Sequence, residues 1–166
     1  MKIAVTDTNI FIELIKAGLL PSLFQIGYTI HTTYEVVNEL LPEQKSVLND
    51  FIRDKKLIIY SFSASEITDI TKQNLSPGLS FVDQGIFYYA QNQHDYFILT
   101  NDNLLRKTCK NSQIEVHGIL WLMDLFLQKD LCTKPGLCQA LKRMMQGFNR
   151  LPINECTERL NKWGQS

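Results

Sequence analysis

The sequence predicts an α/β fold, a parallel sheet with helices on both faces. Two observations predict it. Short apolar runs of strand length alternate with helix-period stretches through the first three quarters of the chain. Two of those runs also end in an acid, where open α/β sheets bind their ligands. The 166 residues suit one domain, and 45% hydrophobic with 20% charged residues supports a packed core.

The elements follow in order. Lys2–Thr6 is a buried strand ending at Asp7. Ile10, Phe11, Leu14 and Ile15 recur at helical spacing until Gly18 stops the helix. Leu19–Ile26 reads as a short second helix and Tyr28–His31 as a second strand. Thr32–Leu41 is a helix, with Thr32 as N-cap and Glu35 as its capping-box partner. Pro42 opens another helix to about Lys55. Leu57–Phe62 is a third strand and Ser65–Gln73 a polar helix, followed by a loop at Asn74–Gly78. Phe81–Gln93 is a helix with Ile86, Phe87, Tyr89 and Ala90 on its apolar side. Tyr96–Thr100 and Ile114–His117 are strands around a helix from Leu104 to Asn111, and Ile119–Leu127 is a buried helix. These elements make a domain of residues 1–128. Residues 129–166 form a C-terminal extension, with amphipathic helices at Gly136–Phe148 and Asn154–Trp163.

Lys plus Arg equals Asp plus Glu at 17 each, so the composition is not that of a strongly basic nucleic-acid binder. The charge is uneven. Residues 1–83 carry 7 basic and 10 acidic side chains, residues 84–166 carry 10 and 7, and the stretch from Lys129 carries 7 and 3. Cys109, Cys132, Cys138 and Cys156 form no CxxC pair and read as reduced thiols. The opening segment does not read as a signal peptide, and no apolar run is long enough for a membrane span, so the expected location is cytoplasmic.

Asp7 ends the first strand and Asp102 follows the fourth; on neighbouring strands their carboxylates would lie close together. Like charges held together raise each other's pKa or require a cation, and oxygen donors select Mg²⁺ or Mn²⁺. Glu39 and Asp83 lie on helices that could bring them to the same cleft. Divalent ions there would polarise a phosphate, lower the pKa of bound water and stabilise a leaving oxygen. Each acid also has a plainer explanation. Asp7 and Asp102 can cap the helices after them, Asp83 stands three residues after Ser80, and Glu39 can be a solvated helical acid. A carboxylate can both cap and bind, because it has more than one lone pair.

The joint pattern resembles the PIN-domain nucleases. It comprises Val5-Thr6-Asp7-Thr8-Asn9-Ile10, then Glu39-Leu40, then Leu79-Ser80-Phe81-Val82-Asp83 with Ala90 following. Ile98-Leu99-Thr100-Asn101-Asp102 with Leu105-Arg106 supplies the last acidic motif, and Glu115–Leu122 resembles the closing segment. The resemblance implies a three-layer α/β/α fold with a five-stranded parallel sheet in order 3-2-1-4-5. It implies Mg²⁺- or Mn²⁺-dependent hydrolysis of single-stranded RNA to 5′-phosphate and 3′-hydroxyl ends, and frequent homodimers. Many bacterial members are toxins of the VapC type, neutralised by a small antitoxin protein. On this reading Asp7, Glu39, Asp83 and Asp102 are the catalytic acids and metal ligands. Thr6, Asn9 and Thr100 support them, and Arg106 contacts substrate. Glu35 is left out because of its capping role. The chain departs from compact members in the extension after Lys129.

Lys107 and Lys110 read as a solvated face, while Lys142, Arg143 and Arg150 could extend an RNA surface or attract an acidic partner. His31, His94 and His117 lack zinc spacing, and Met144 with Met145 suggests an interaction face. A haloacid-dehalogenase-type phosphatase also begins with a strand and an Asp, but needs a second Asp where this chain has Asn9. A receiver domain needs an Asp where Phe62-Ser63-Ala64-Ser65 stands. A catalytically inactive PIN-like RNA-binding or protein-docking module is the remaining alternative. It differs in having no turnover.

Overall fold

The computed structural model describes residues 1–147 and 151–165. Five parallel strands form one sheet in the order β3-β2-β1-β4-β5. They are β1 (Ile3–Thr6), β2 (Thr29–Thr33), β3 (Leu57–Tyr60), β4 (Tyr96–Leu99) and β5 (Val116–His117). The chain builds β1, β2 and β3 outward in one direction, then crosses back to lay β4 on the other side of β1. The β1–β4 crevice is therefore the switch point of the sheet, and Asp7 leaves β1 there. β1 and β4 are almost wholly buried, which explains their unbroken apolar runs.

Ten helices connect and cover the strands in the described residues: α1 (Thr8–Ala17), α2 (Leu20–Leu23), α3 (Tyr34–Glu39), α4 (Pro42–Arg53), α5 (Ala64–Thr71), α6 (Phe81–Gln91), α7 (Asn103–Asn111), α8 (Ile119–Gln128), α9 (Lys134–Gln146) and α10 (Ile153–Trp163). Local chemistry sets their ends. The Asp7 carboxylate accepts from the Thr8 N–H, and Gly18 closes α1 at φ +69°, a conformation that costs glycine little. Ser63 and Glu66 form a reciprocal capping box on α5.

One expected cap is different. β2 continues to Thr33, because its register with β3 runs on to the Thr33–Tyr60 pair. The N-cap of α3 is therefore Thr33, which accepts from the Val36 N–H. The Thr32 hydroxyl instead donates to the Thr6 carbonyl at 2.7 Å and ties β2 to β1. Glu35 makes no capping box, and its Oε2 is buried without a hydrogen-bond partner among the described residues.

The extension packs on the sheet domain. Leu137, Ala140, Leu141 and Met144 of α9, with Cys156 and Trp163 of α10, belong to the same buried cluster as the strands. Met144 is thus a core residue, contrary to the interaction face its sequence suggests. Arg159 of α10 clamps Asp124 of α8 through Nε at 3.1 Å and Nη2 at 2.7 Å. Arg150 lies outside the described residues, while Lys142 and Arg143 are exposed. All four cysteines are free thiols, and burial pushes Cys109 up to about 12, which makes it inert at neutral pH.

Candidate active site

Asp7 is the centre of the site and is only 4% exposed. Its Oδ1 accepts from the Thr8 N–H at 2.7 Å, and its Oδ2 accepts from the Thr100 hydroxyl at 2.8 Å. That hydroxyl also accepts from the Asp102 N–H at 3.1 Å. Thr100 therefore ties the end of β1 to the start of α7. On the other side, the Thr8 hydroxyl donates to Glu39 Oε2 at 2.7 Å. Short-range bonds thus run in one chain from Glu39 through Thr8, Asp7 and Thr100 to the Asp102 backbone.

Asp83 joins them through its charge. Ser80 caps α6 by accepting from the Asp83 N–H at 3.1 Å, which sets the carboxylate on the first turn. Burial pushes the Asp7 carboxyl up from 3.8 to about 7, and the charges of Asp83 and Glu39 push the same way, against the bonds from Thr100 and Thr8. Burial also raises Asp83, as do the neighbouring Asp102 and Glu39, against its bond with Ser80. Asp7 thus feels Asp83 and Glu39, and Asp83 feels Asp102 and Glu39, so the four sequence-predicted acids are linked through Asp83. They grade outward from buried Asp7, through half-buried Asp83 and Asp102, to exposed Glu39. Capping and site membership coincide, because Asp102 Oδ1 also accepts from the Leu105 N–H at 2.7 Å.

The supporting residues divide. Thr100 holds Asp7 directly, whereas the Thr6 hydroxyl donates to the Ala4 carbonyl at 3.3 Å and Asn9 lines an adjoining groove. Sequence reasoning missed Thr8, although it stands inside the Asp-Thr-Asn motif and its side chain is the link to Glu39. It also missed Asn101, whose Oδ1 accepts from the Ile119 N–H at 2.9 Å and fixes the start of α8. The groove, about 990 Å³, runs from Asp102 between α1, the β5–α8 junction and α10. Arg106 lines it, while Lys107 and Lys110 are exposed. His31 and His117 have satisfied partners, Tyr89 Oη at 2.7 Å and Glu115 Oε1 at 2.9 Å.

The donor set fits a hard divalent cation. Every candidate ligand is a carboxylate oxygen, and two of the acids are held above their ordinary range by burial and mutual repulsion. Among the described residues, no three His, Cys, Asp or Glu side chains close up into a ready-made coordination shell.

A strand-end carboxylate cluster sits at the switch point of a parallel α/β sheet, where such folds bind their ligands. A family model described as a PIN domain matches residues 3–165, and the chain belongs to the PIN-domain family. The match runs through α9 and the whole of α10. Comparison with curated proteins finds no match.

Proposed function

We propose that this protein is a metal-dependent endoribonuclease that hydrolyses phosphodiester bonds of single-stranded RNA. PIN domains are generally nucleases, and the family match supports a nuclease-type activity. The observation that supports the finer reading is the buried Asp7 carboxylate, raised first by its burial and then by the charges of Asp83 and Glu39, a site whose negative charge a divalent cation would stabilise.

In this reading Asp7 and Asp102 hold Mg²⁺ or Mn²⁺, with Glu39 and Asp83 completing the shell directly or through water. Such an ion, when bound, would supply charge to polarise the phosphate, lower the pKa of an attacking water and stabilise the leaving 3′-oxygen. The protein contributes orientation. Thr100 and Thr8 fix both oxygens of Asp7, so the carboxylate is already oriented toward the cleft's other acids. Thr8 also restrains the exposed Glu39.

The partners we propose are single-stranded RNA, a second copy of the chain and, if the protein is a toxin of the VapC type, a small antitoxin protein. No helix of the described residues is long and apolar enough to cross a membrane. That observation and the four free thiols support our cytoplasmic assignment.

Incubation with single-stranded RNA and Mn²⁺ or Mg²⁺ is expected to yield 5′-phosphate fragments, and EDTA is expected to stop the reaction. Binding without cleavage would favour the inactive module, and phosphate release from a monoester would favour the phosphatase.

A further inference from the structure

Arg106 occupies an unusual position. It stands one turn after Asp102 on α7, beside a carboxylate cluster, yet it forms no ion pair among the described residues. Its guanidinium lies across the backbone at the β5–α8 junction, where Nη1 donates to the Thr100 carbonyl at 3.3 Å. Gly118 makes that path available. A Cβ at position 118 would collide with Arg106 Nη1 and stand 2.9 Å from Asn101 Oδ1. Gly118 has φ −109° and ψ −172°, a conformation open to any residue, so the backbone does not require glycine there. What the position demands is the space taken by the guanidinium.

Arg106 lines the groove that begins at Asp102, with Glu13 of α1 and Leu151, Pro152, Glu155 and Arg159 of the extension also in its walls. Arg159 is engaged with Asp124, leaving Arg106 as the guanidinium of this groove without a carboxylate partner among the described residues. A planar fork of donors in that state suits a phosphate.

We infer that Arg106, seated over Gly118, forms a phosphate subsite for the nucleotide next to the scissile bond, with Gly118 as its positioning residue. The inference rests on the nuclease reading and adds the direction in which the RNA strand leaves the acidic cluster, along the α10 groove.

The test uses the full chain, a fluorescent 2′-O-methyl hexanucleotide kept intact by measuring its binding in EDTA, and two cleavable RNAs, a hexanucleotide and a dinucleoside monophosphate. Arg106→Gln is expected to weaken binding of the 2′-O-methyl strand about tenfold and to lower the slope of log affinity against log salt by about one. Gly118→Ala is expected to do the same. The double variant should be no weaker than Arg106→Gln alone, because both changes remove one contact. In cleavage, both should shrink the advantage of the hexanucleotide over the dinucleoside monophosphate about tenfold, through KM. Binding unaffected by Arg106→Gln would overturn the subsite, as would additive losses in the double variant. Equal losses on both cleavable RNAs would also overturn it, since Arg106 would then act at the scissile phosphate. If the wild type cleaves neither RNA, the nuclease reading falls by itself, and the binding measurements still decide the subsite.

Discussion

Asp7→Asn is expected to lower RNA cleavage by more than about a hundredfold and, without metal, to make the protein more stable. The first effect follows from removing a charged ligand, since disturbing only the partners of a ligand already costs about 10–100-fold. The second follows from the direction of the Asp7 shift. Its carboxyl is raised from 3.8 to about 7 by burial and by its acidic neighbours. A raised acid binds its proton more tightly in the folded chain than in the unfolded one. Its contribution to stability is full below about 3.8 and is lost as pH rises through about 7. At pH 8 the charged group therefore costs the fold up to about 4 kcal/mol, at about 1.4 kcal/mol per pKa unit. Asparagine removes that cost while keeping an oxygen for the Thr8 N–H. Urea denaturation in EDTA at pH 8 should move the midpoint upward in the variant, and the gap should narrow as pH falls through about 7 and close below about 3.8. Retained metal-dependent cleavage, or a less stable variant at pH 8, would contradict the assignment. Proton and cation compete for the same oxygens, so metal affinity of the wild type should rise with pH up to about 7.

Trp163→Ala is expected to cost about 3–5 kcal/mol, the usual range for truncating a buried aromatic side chain. Trp163 is nearly the last described residue, yet it is only 3% exposed and shares the core cluster with the strands. Arg159 holds the same helix to α8 through Asp124. Together these make α9 and α10 part of the cooperative fold. Urea unfolding should show one transition with a lower midpoint and a similar slope. An unchanged midpoint, or a separate early transition, would mean that the extension folds as its own unit.

Much of the fold is legible in the sequence because its signals are local. Apolar runs bounded by Asp7 and Asp102 mark β1 and β4, and those same residues cap the helices that follow. The Glu35 case shows the limit. Two adjacent threonines precede α3, and the choice between them depends on how far β2 pairs with β3, a contact more than twenty residues away in sequence. The extension shows another limit. Helical period identifies an apolar stripe on α9, but only tertiary packing directs Leu141 and Met144 into the core rather than toward a partner. In the site, residue type and strand-end position mark the acids. The roles of Thr8 and Gly118 depend on the approach of Glu39 and Arg106 from other elements, which no spacing along the chain encodes.

The buried Asp7 carboxylate, raised by its burial and by the charges of Asp83 and Glu39, is the centre of this account, and thermal unfolding at pH 8 with and without Mn²⁺ tests it most directly. At about a hundredfold excess over the dissociation constant, Mn²⁺ should stabilise the wild type by about 3 kcal/mol, a rise in Tm of roughly 5–10 °C. Asp7→Asn, with that charge already removed, should respond far less. Identical melting of the wild type in Mn²⁺ and in EDTA would contradict the account.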